Sequence, residues 1–100
     1  MNTTPAYDLA TVKAAFCTVN RLRITLSARQ GAVELGFSDQ DIVDAIQALK
    51  PADFYKTMAP VTPGFAAMQD VYRPTFRGMA LYIKFQQLAD GHLVLSFKAR

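Results

Sequence analysis

Apolar residues recur at helical spacing through the first half of the chain, and from Asp53 onward the period falls to two. Leu9, Val12, Phe16 and Val19 form one helical stripe with Asp8 placed to cap it. Cys17 lies beside that stripe and reads as a buried, inert thiol. Residues 22–26, LRITL, are short, branched and alternating, which predicts a strand. A second helix is predicted over residues 27–35, weakened by about 1 kcal/mol at Gly31 and stopped at Gly36. Ser38 opens the clearest helix. Its hydroxyl can accept from first-turn amides, Asp39 and Asp41 suit the positive end of the dipole, and Lys50 suits the negative end. Ile42, Ala45, Ile46 and Leu49 make its buried stripe, and Pro51 ends it.

DFYKTM (53–58), AMQDVYRP (67–74), MALYIKFQQL (79–88) and HLVLSFK (92–98) then read as strands. Helices followed by strands predict an α+β fold, with about three N-terminal helices packed on one face of a mostly antiparallel sheet. One hundred residues are expected to form a single domain. The register of the last hairpin follows from parity. Leu81, Ile83 and Phe85 form the apolar face of one arm, and Leu93, Leu95 and Phe97 that of the other. Directly opposed residues share a face. A two-residue Asp90-Gly91 loop would set Phe85 against Ser96 and mix the faces. A three-residue loop, Ala89-Asp90-Gly91, sets Phe85 against Leu95 and Ile83 against Phe97. It also places Tyr82 opposite Lys98 and Lys84 opposite Ser96, on the face away from the helices.

Composition narrows the chemistry. Hydrophobic residues at 51% and charged residues at 19% fit a globular domain rather than a disordered chain. No apolar run approaches the ~18 residues of a membrane span. Residues 1–8 carry no readable secretory signal, so a cytoplasmic location without membrane association is expected. A single cysteine excludes an internal disulfide. With only His92 beside it, Cys17 also cannot found a Cys/His zinc site, so no metal and no cofactor is expected. Asp39 and Asp41 have a complete explanation as helix-start residues. Residues 1–50 carry five basic and five acidic side chains, residues 51–100 six against three, so the whole excess of +3 lies in the strand half. A polyanionic partner would be expected there.

DFYKTM, QDVYRP, LYIKF and the terminal VLSFK, with TLSA and AVELG earlier, closely resemble the MqsR toxin family over almost the whole chain. Two single-residue insertions set it apart, one between DFYKTM and the AMQ segment and one in the last hairpin. The resemblance implies a RelE-like fold whose open sheet face handles RNA. It implies a ribosome-independent endoribonuclease that cuts messenger RNA at GC-containing sites, acting as the toxin of a type II toxin–antitoxin pair. It further implies a cognate MqsA-like antitoxin with zinc-binding and helix-turn-helix regions, operator DNA being reached only through that antitoxin. The family's functional lysine in DFYK falls on Lys56, its glutamine in QDVYRP on Gln69, its strand tyrosine on Tyr82 and its terminal lysine on Lys98.

RNA cleavage of this class uses the ribose 2′-OH as nucleophile, so the protein must move a proton and stabilise charge on the scissile phosphate. His92 lies beside the hairpin turn and reads as a surface residue. Lys56, Gln69, Tyr82 and Lys98 are the catalytic candidates, and Lys98 opposite Tyr82 can favour phenolate-like character there. Arg73 and Lys84 are candidate phosphate contacts, Arg by a bidentate fork. Tyr72 is a candidate base-stacking residue, and Tyr55 shares that possibility; both fit a core position equally well. Asp70 is placed to orient Arg73 or Lys56. A catalytically silent nucleic-acid-binding corepressor and a ribosome-dependent mRNA interferase remain as alternatives.

Overall fold

Three helices precede and pack against an antiparallel sheet in the computed structural model, which describes residues 4–59, 67–88 and 92–100. The helices are α1 (Leu9–Ala15), α2 (Leu26–Glu34) and α3 (Asp39–Gln47). The strands are β1 (Phe54–Met58), β2 (Gln69–Tyr72), β3 (Thr75–Phe76), β4 (Met79–Gln87) and β5 (Leu93–Ala99). The α+β architecture is as the periodicity predicts.

Each helix starts where a polar cap stands. The Asp8 carboxylate accepts the Thr11 amide, and the Thr25 hydroxyl accepts that of Ala28. Ser38 and Asp41 exchange side-chain and backbone bonds in a full capping box. Gly36 takes a φ of +79° to end the turn after α2, a conformation that favours glycine. Helix α3 ends at Gln47, so Lys50 lies beyond its last turn and instead begins the 3-10 turn Pro51–Asp53.

Two predicted elements come out differently. Helix α1 stops at Ala15; Phe16 leaves helical geometry at φ −118°, so the chain turns before Val19 can join the stripe. Val19 is exposed in a 3-10 turn, and Cys17 is exposed rather than buried. The predicted strand at 22–26 is reduced to one parallel bridge between Ile24 and Leu95. Thr25 is taken as the cap of α2, and Leu26 becomes its first residue, so the extended stretch has no length left to form a ladder.

Strand β4 organises the sheet. On one side β2 pairs with residues 83–86 and β3 with residues 79–80; β5 pairs along the other side from Leu81 to Gln87. The β4–β5 register matches the parity argument: Phe85 faces Leu95, Ile83 faces Phe97, Tyr82 faces Lys98 and Lys84 faces Ser96. The proposed loop residues 89–91 lie outside the described residues. The short β3–β4 turn, Arg77-Gly78, puts both residues at positive φ, 52° and 78°, the twist-matched geometry of a tight hairpin. Arg77 is tied there by ion pairs to Asp41 and Asp44 of α3, and its guanidinium lies over the Phe76 ring.

Val12, Phe16, Ala32, Ile42, Ile46 and Leu49 from the helix half meet Leu81, Ile83, Phe85, Leu95 and Phe97 from one face of β4 and β5. Phe16 packs on Phe85, and Phe37 on Phe97. Among the described residues the opposite face of the sheet is free of helices except at one edge, and on that face the polar strand residues gather.

Candidate functional site

The faces are assigned by pairing. In β2, Asp70 opposes Phe85 and Tyr72 opposes Ile83, which puts both on the helix side. Val71 opposes Lys84 and Gln69 opposes Gln86, on the open side. In β1, Phe54 opposes Tyr72 while Lys56 opposes Val71, so β1 spends two steps where β2 spends one. Tyr55 is the extra residue of a β-bulge. Regular alternation from Phe54 would have turned Lys56 toward the helices. The bulge instead delivers both Tyr55 and Lys56 to the open face.

Contacts across that face agree. The Tyr55 ring meets the Tyr82 ring edge-on at 6.3 Å and carries the Arg73 guanidinium at 4.6 Å and the Lys56 ammonium at 5.3 Å. Lys98 holds its ammonium 5.4 Å from the Tyr82 ring centroid. Gln69 is nine-tenths buried, and its Oε1 has no hydrogen-bond partner among the described residues. An orphaned acceptor of this kind is costly in isolation and ready to receive a donor.

At the β5 edge, the start of α2 closes one side of a cleft of about 280 Å³. Thr25 and Ser27 line it opposite Tyr82, Lys84, Ser96 and Lys98. The contribution of Thr25 and Ser27 was not read from the sequence. Its only sequence signal is the cap position of Thr25, which says where a helix begins but not what it abuts.

The electrostatics separate into two groups of cations. Of the six basic residues beyond position 50, Arg77 is bound to α3, and Arg100 donates to the Leu81, Arg73 and Pro74 carbonyls. Lys56, Arg73, Lys84 and Lys98 make no ion pair among the described residues, and all four stand on or beside the open face. No described Asp or Glu shares that face.

Two sequence readings need correction. Tyr72 is 1% exposed, wedged edge-on against Phe54 and Phe85, so its ring cannot stack on a base. Its hydroxyl has no partner among the described residues. Burial, with the nearby charges of Asp70 and Asp8, pushes it up to about 12. Asp70 orients neither Arg73 nor Lys56. It points to the other face, fully buried, and accepts the backbone amides of Ala6 and Tyr7 at 2.9 Å each. Tyr7 extends the same clamp, its hydroxyl donating to the Met68 carbonyl and accepting the Gln87 amide. His92 is exposed where the β4–β5 hairpin begins its return.

The motif-bearing strands are thus one surface, and the comparison with known proteins covers them all. The family model described as "Motility quorum-sensing regulator, toxin of MqsA" matches residues 4–99. The chain belongs to the MqsR toxin family. It is 34% identical to the protein named mRNA interferase toxin MqsR of Escherichia coli (strain K12) over 97 residues, covering 97% of this chain and 96% of that protein. For an MqsR-family chain of this length, the match leaves no appreciable part of the sheet or helices outside the shared pattern. No helix among the described residues is long and apolar enough to cross a membrane.

Proposed function

We propose that this protein is the toxin of a type II toxin–antitoxin pair and an endoribonuclease that cleaves messenger RNA on the open face of its sheet. The observation that carries this reading is the gathering of four cations, without acidic partners among the described residues, around the Tyr55–Tyr82 ring pair. Such a surface suits a single strand, whose phosphates meet the cations while a base stacks on an exposed aromatic ring. Tyr55, 41% exposed, is the ring available for stacking. The E. coli relative's name, an mRNA interferase toxin, supports the same class of activity.

In the proposed reaction the 2′-oxygen attacks the adjacent phosphorus as its proton leaves, and the 5′-oxygen departs with a proton. A 2′,3′-cyclic phosphate and a 5′-hydroxyl result. Lys56, Lys98 and Arg73 stabilise the extra negative charge on the phosphoryl oxygens. Tyr82 moves a proton, and Gln69 donates its amide nitrogen to a phosphate oxygen or reads a base edge, its amide oxygen there accepting and its nitrogen donating. In this reading the lysines and Tyr82 supply the chemistry without a metal. The reading extends to GC-containing cleavage sites, a cytoplasmic location and an MqsA-like antitoxin with zinc-binding and helix-turn-helix regions, which alone would reach operator DNA.

Purified protein incubated with naked single-stranded RNA in EDTA tests this. Fragments with 5′-hydroxyl and cyclic phosphate ends are expected. Fragments with 5′-phosphate ends would overturn the 2′-OH mechanism. Cutting only on translating ribosomes would make the protein a ribosome-dependent interferase. No cutting in either setting would make it a silent corepressor.

A further inference from the structure

A second basic cleft lies outside the face described above. Arg21, Arg23, Asn20 and His92 line about 350 Å³ together with the apolar Ala15 and Leu93, with no acid in the lining among the described residues. The state of the arginines distinguishes this cleft from an ordinary solvated surface. Arg29 pairs with Asp39, Arg77 with Asp41 and Asp44, Arg73 stacks on Tyr55, and Arg100 donates to three carbonyls. Arg21 and Arg23 make neither a hydrogen bond nor an ion pair through their side chains among the described residues. Two arginines with unengaged side chains line one concavity, and guanidinium forks suit phosphate oxygens.

The cleft is joined to the candidate site by a single crossing of the backbone. The Arg23 carbonyl accepts the Leu95 amide, and the Thr25 amide donates to the Leu95 carbonyl. Arg23, on one side of this crossing, lines the second cleft, while Thr25 and Ser27, on the other, line the cleft of Tyr82, Lys84 and Lys98. Along β5 the two clefts are marked by Leu93, on the helix side, and Lys98, on the open face, about 17 Å apart along the strand at a rise of ~3.3 Å per residue, so an RNA strand joining them passes around the β5 edge. A few nucleotides span that distance.

We propose that Arg21 and Arg23, with Asn20 and His92, form a remote phosphate-binding subsite that holds the substrate RNA a few nucleotides from the scissile bond. This rests on the endoribonuclease reading and deepens it. The subsite tightens binding of long RNA and takes no part in the bond-breaking step. Its donors are blind to base identity, because phosphate contacts position a strand without reading it.

The test uses 2′-O-methyl RNA, which cannot react, in a short form of about 4 nucleotides centred on the cut and a long form of about 12. Affinity is measured for the full chain and for the Arg21→Gln/Arg23→Gln double variant, with melting temperature as the folding control. The double variant is expected to bind the long form about tenfold more weakly, with a salt slope shallower by roughly 1.4 for two lost phosphate contacts. Its affinity for the short form should equal the parent's. Arg21→Lys/Arg23→Lys should recover most of the loss. With cleavable RNA, KM for the long form should rise and kcat should hold. Equal affinities of parent and double variant for the long form overturn the subsite, as does an equal loss on both lengths. Arginine-dependent binding without cleavage by the parent would overturn the nuclease reading and leave the subsite standing as an RNA-binding surface. No affinity for either form would overturn both.

Discussion

Lys98 stands directly opposite Tyr82 in the β4–β5 ladder and holds its ammonium over the phenol ring, 5.4 Å from the centroid. The cation therefore touches the face of the ring and not only the space beyond its hydroxyl. That placement orients the ring through cation–π attraction while keeping a positive charge beside the proposed phosphate position. Tyr82→Phe keeps the ring and this contact and removes only the hydroxyl. RNA cleavage is expected to fall about 10²- to 10⁴-fold, the range for losing a general acid or base. Lys98→Met should also slow cleavage, and the double variant should lose less than the product of the two single effects, as groups acting together do. Cleavage rates of the four proteins check this. A Tyr82→Phe variant at the parental rate would remove Tyr82 from the chemistry, and strictly multiplicative losses would remove the coupling.

Tyr72→Phe should behave in the opposite way. The Tyr72 ring fills the core between Phe54 and Phe85, and its hydroxyl is buried without a partner among the described residues. Deleting an unsatisfied hydroxyl while keeping the ring relieves its desolvation cost, so stability should be unchanged or higher by up to about 1 kcal/mol. Urea midpoints measure it. RNA affinity and cleavage should match the parent; weakened RNA binding in a fully stable variant would return Tyr72 to the recognition surface.

Asp70 holds the N-terminal segment onto the sheet through two amides. Asp70→Asn keeps the shape but leaves one oxygen where two accepted, so a loss of about 1–3 kcal/mol is expected. Hydrogen exchange at the Ala6 and Tyr7 amides should accelerate more than exchange in β4. Cleavage measured well below the melting temperature should persist. Full stability with abolished cleavage would show that Asp70 acts in the reaction after all.

Arg77 and Asp41 bring a pH dependence. The Ser38 backbone hydrogen bond, followed by the Arg77 guanidinium, lowers the Asp41 carboxyl from 3.8 to about 2. A depressed carboxyl stabilises the fold fully above its unfolded value, and that contribution disappears as pH falls through the folded one. The melting temperature of the parent should therefore exceed that of Arg77→Gln at neutral pH. The gap should close between about pH 4 and pH 2. Because the pair is exposed, the gap should also shrink in high salt. A gap that persists at pH 2 would assign the effect to the Arg77 backbone or to its packing on Phe76.

What the sequence determined by itself is relative order: which residues of a segment share a face, where helices start, and which segments pair. The β4–β5 register is the clearest instance, because matching two apolar faces across a hairpin admits one parity. The capping box of Ser38 and Asp41 is equally local, since both partners lie within one turn. The family's strand motifs were legible for the same reason, as DFYK, QDVYRP and SFK are contiguous. What only the tertiary structure decided is where a local pattern ends and which side it presents. A one-residue bulge at Tyr55 reverses the facing of Lys56 and leaves no mark in the composition of DFYKTM. Tyr55 and Tyr72 are indistinguishable as strand tyrosines, yet one parity step puts the first beside Tyr82 and the second in the core. The stretch at 22–26 has strand composition but is claimed by the cap of α2, and Cys17 is exposed because α1 ends one turn early. In each case the deciding energy comes from contacts made across the chain, between Phe54 and Tyr72 or between Ile24 and Leu95. Local propensity contains no term for those contacts.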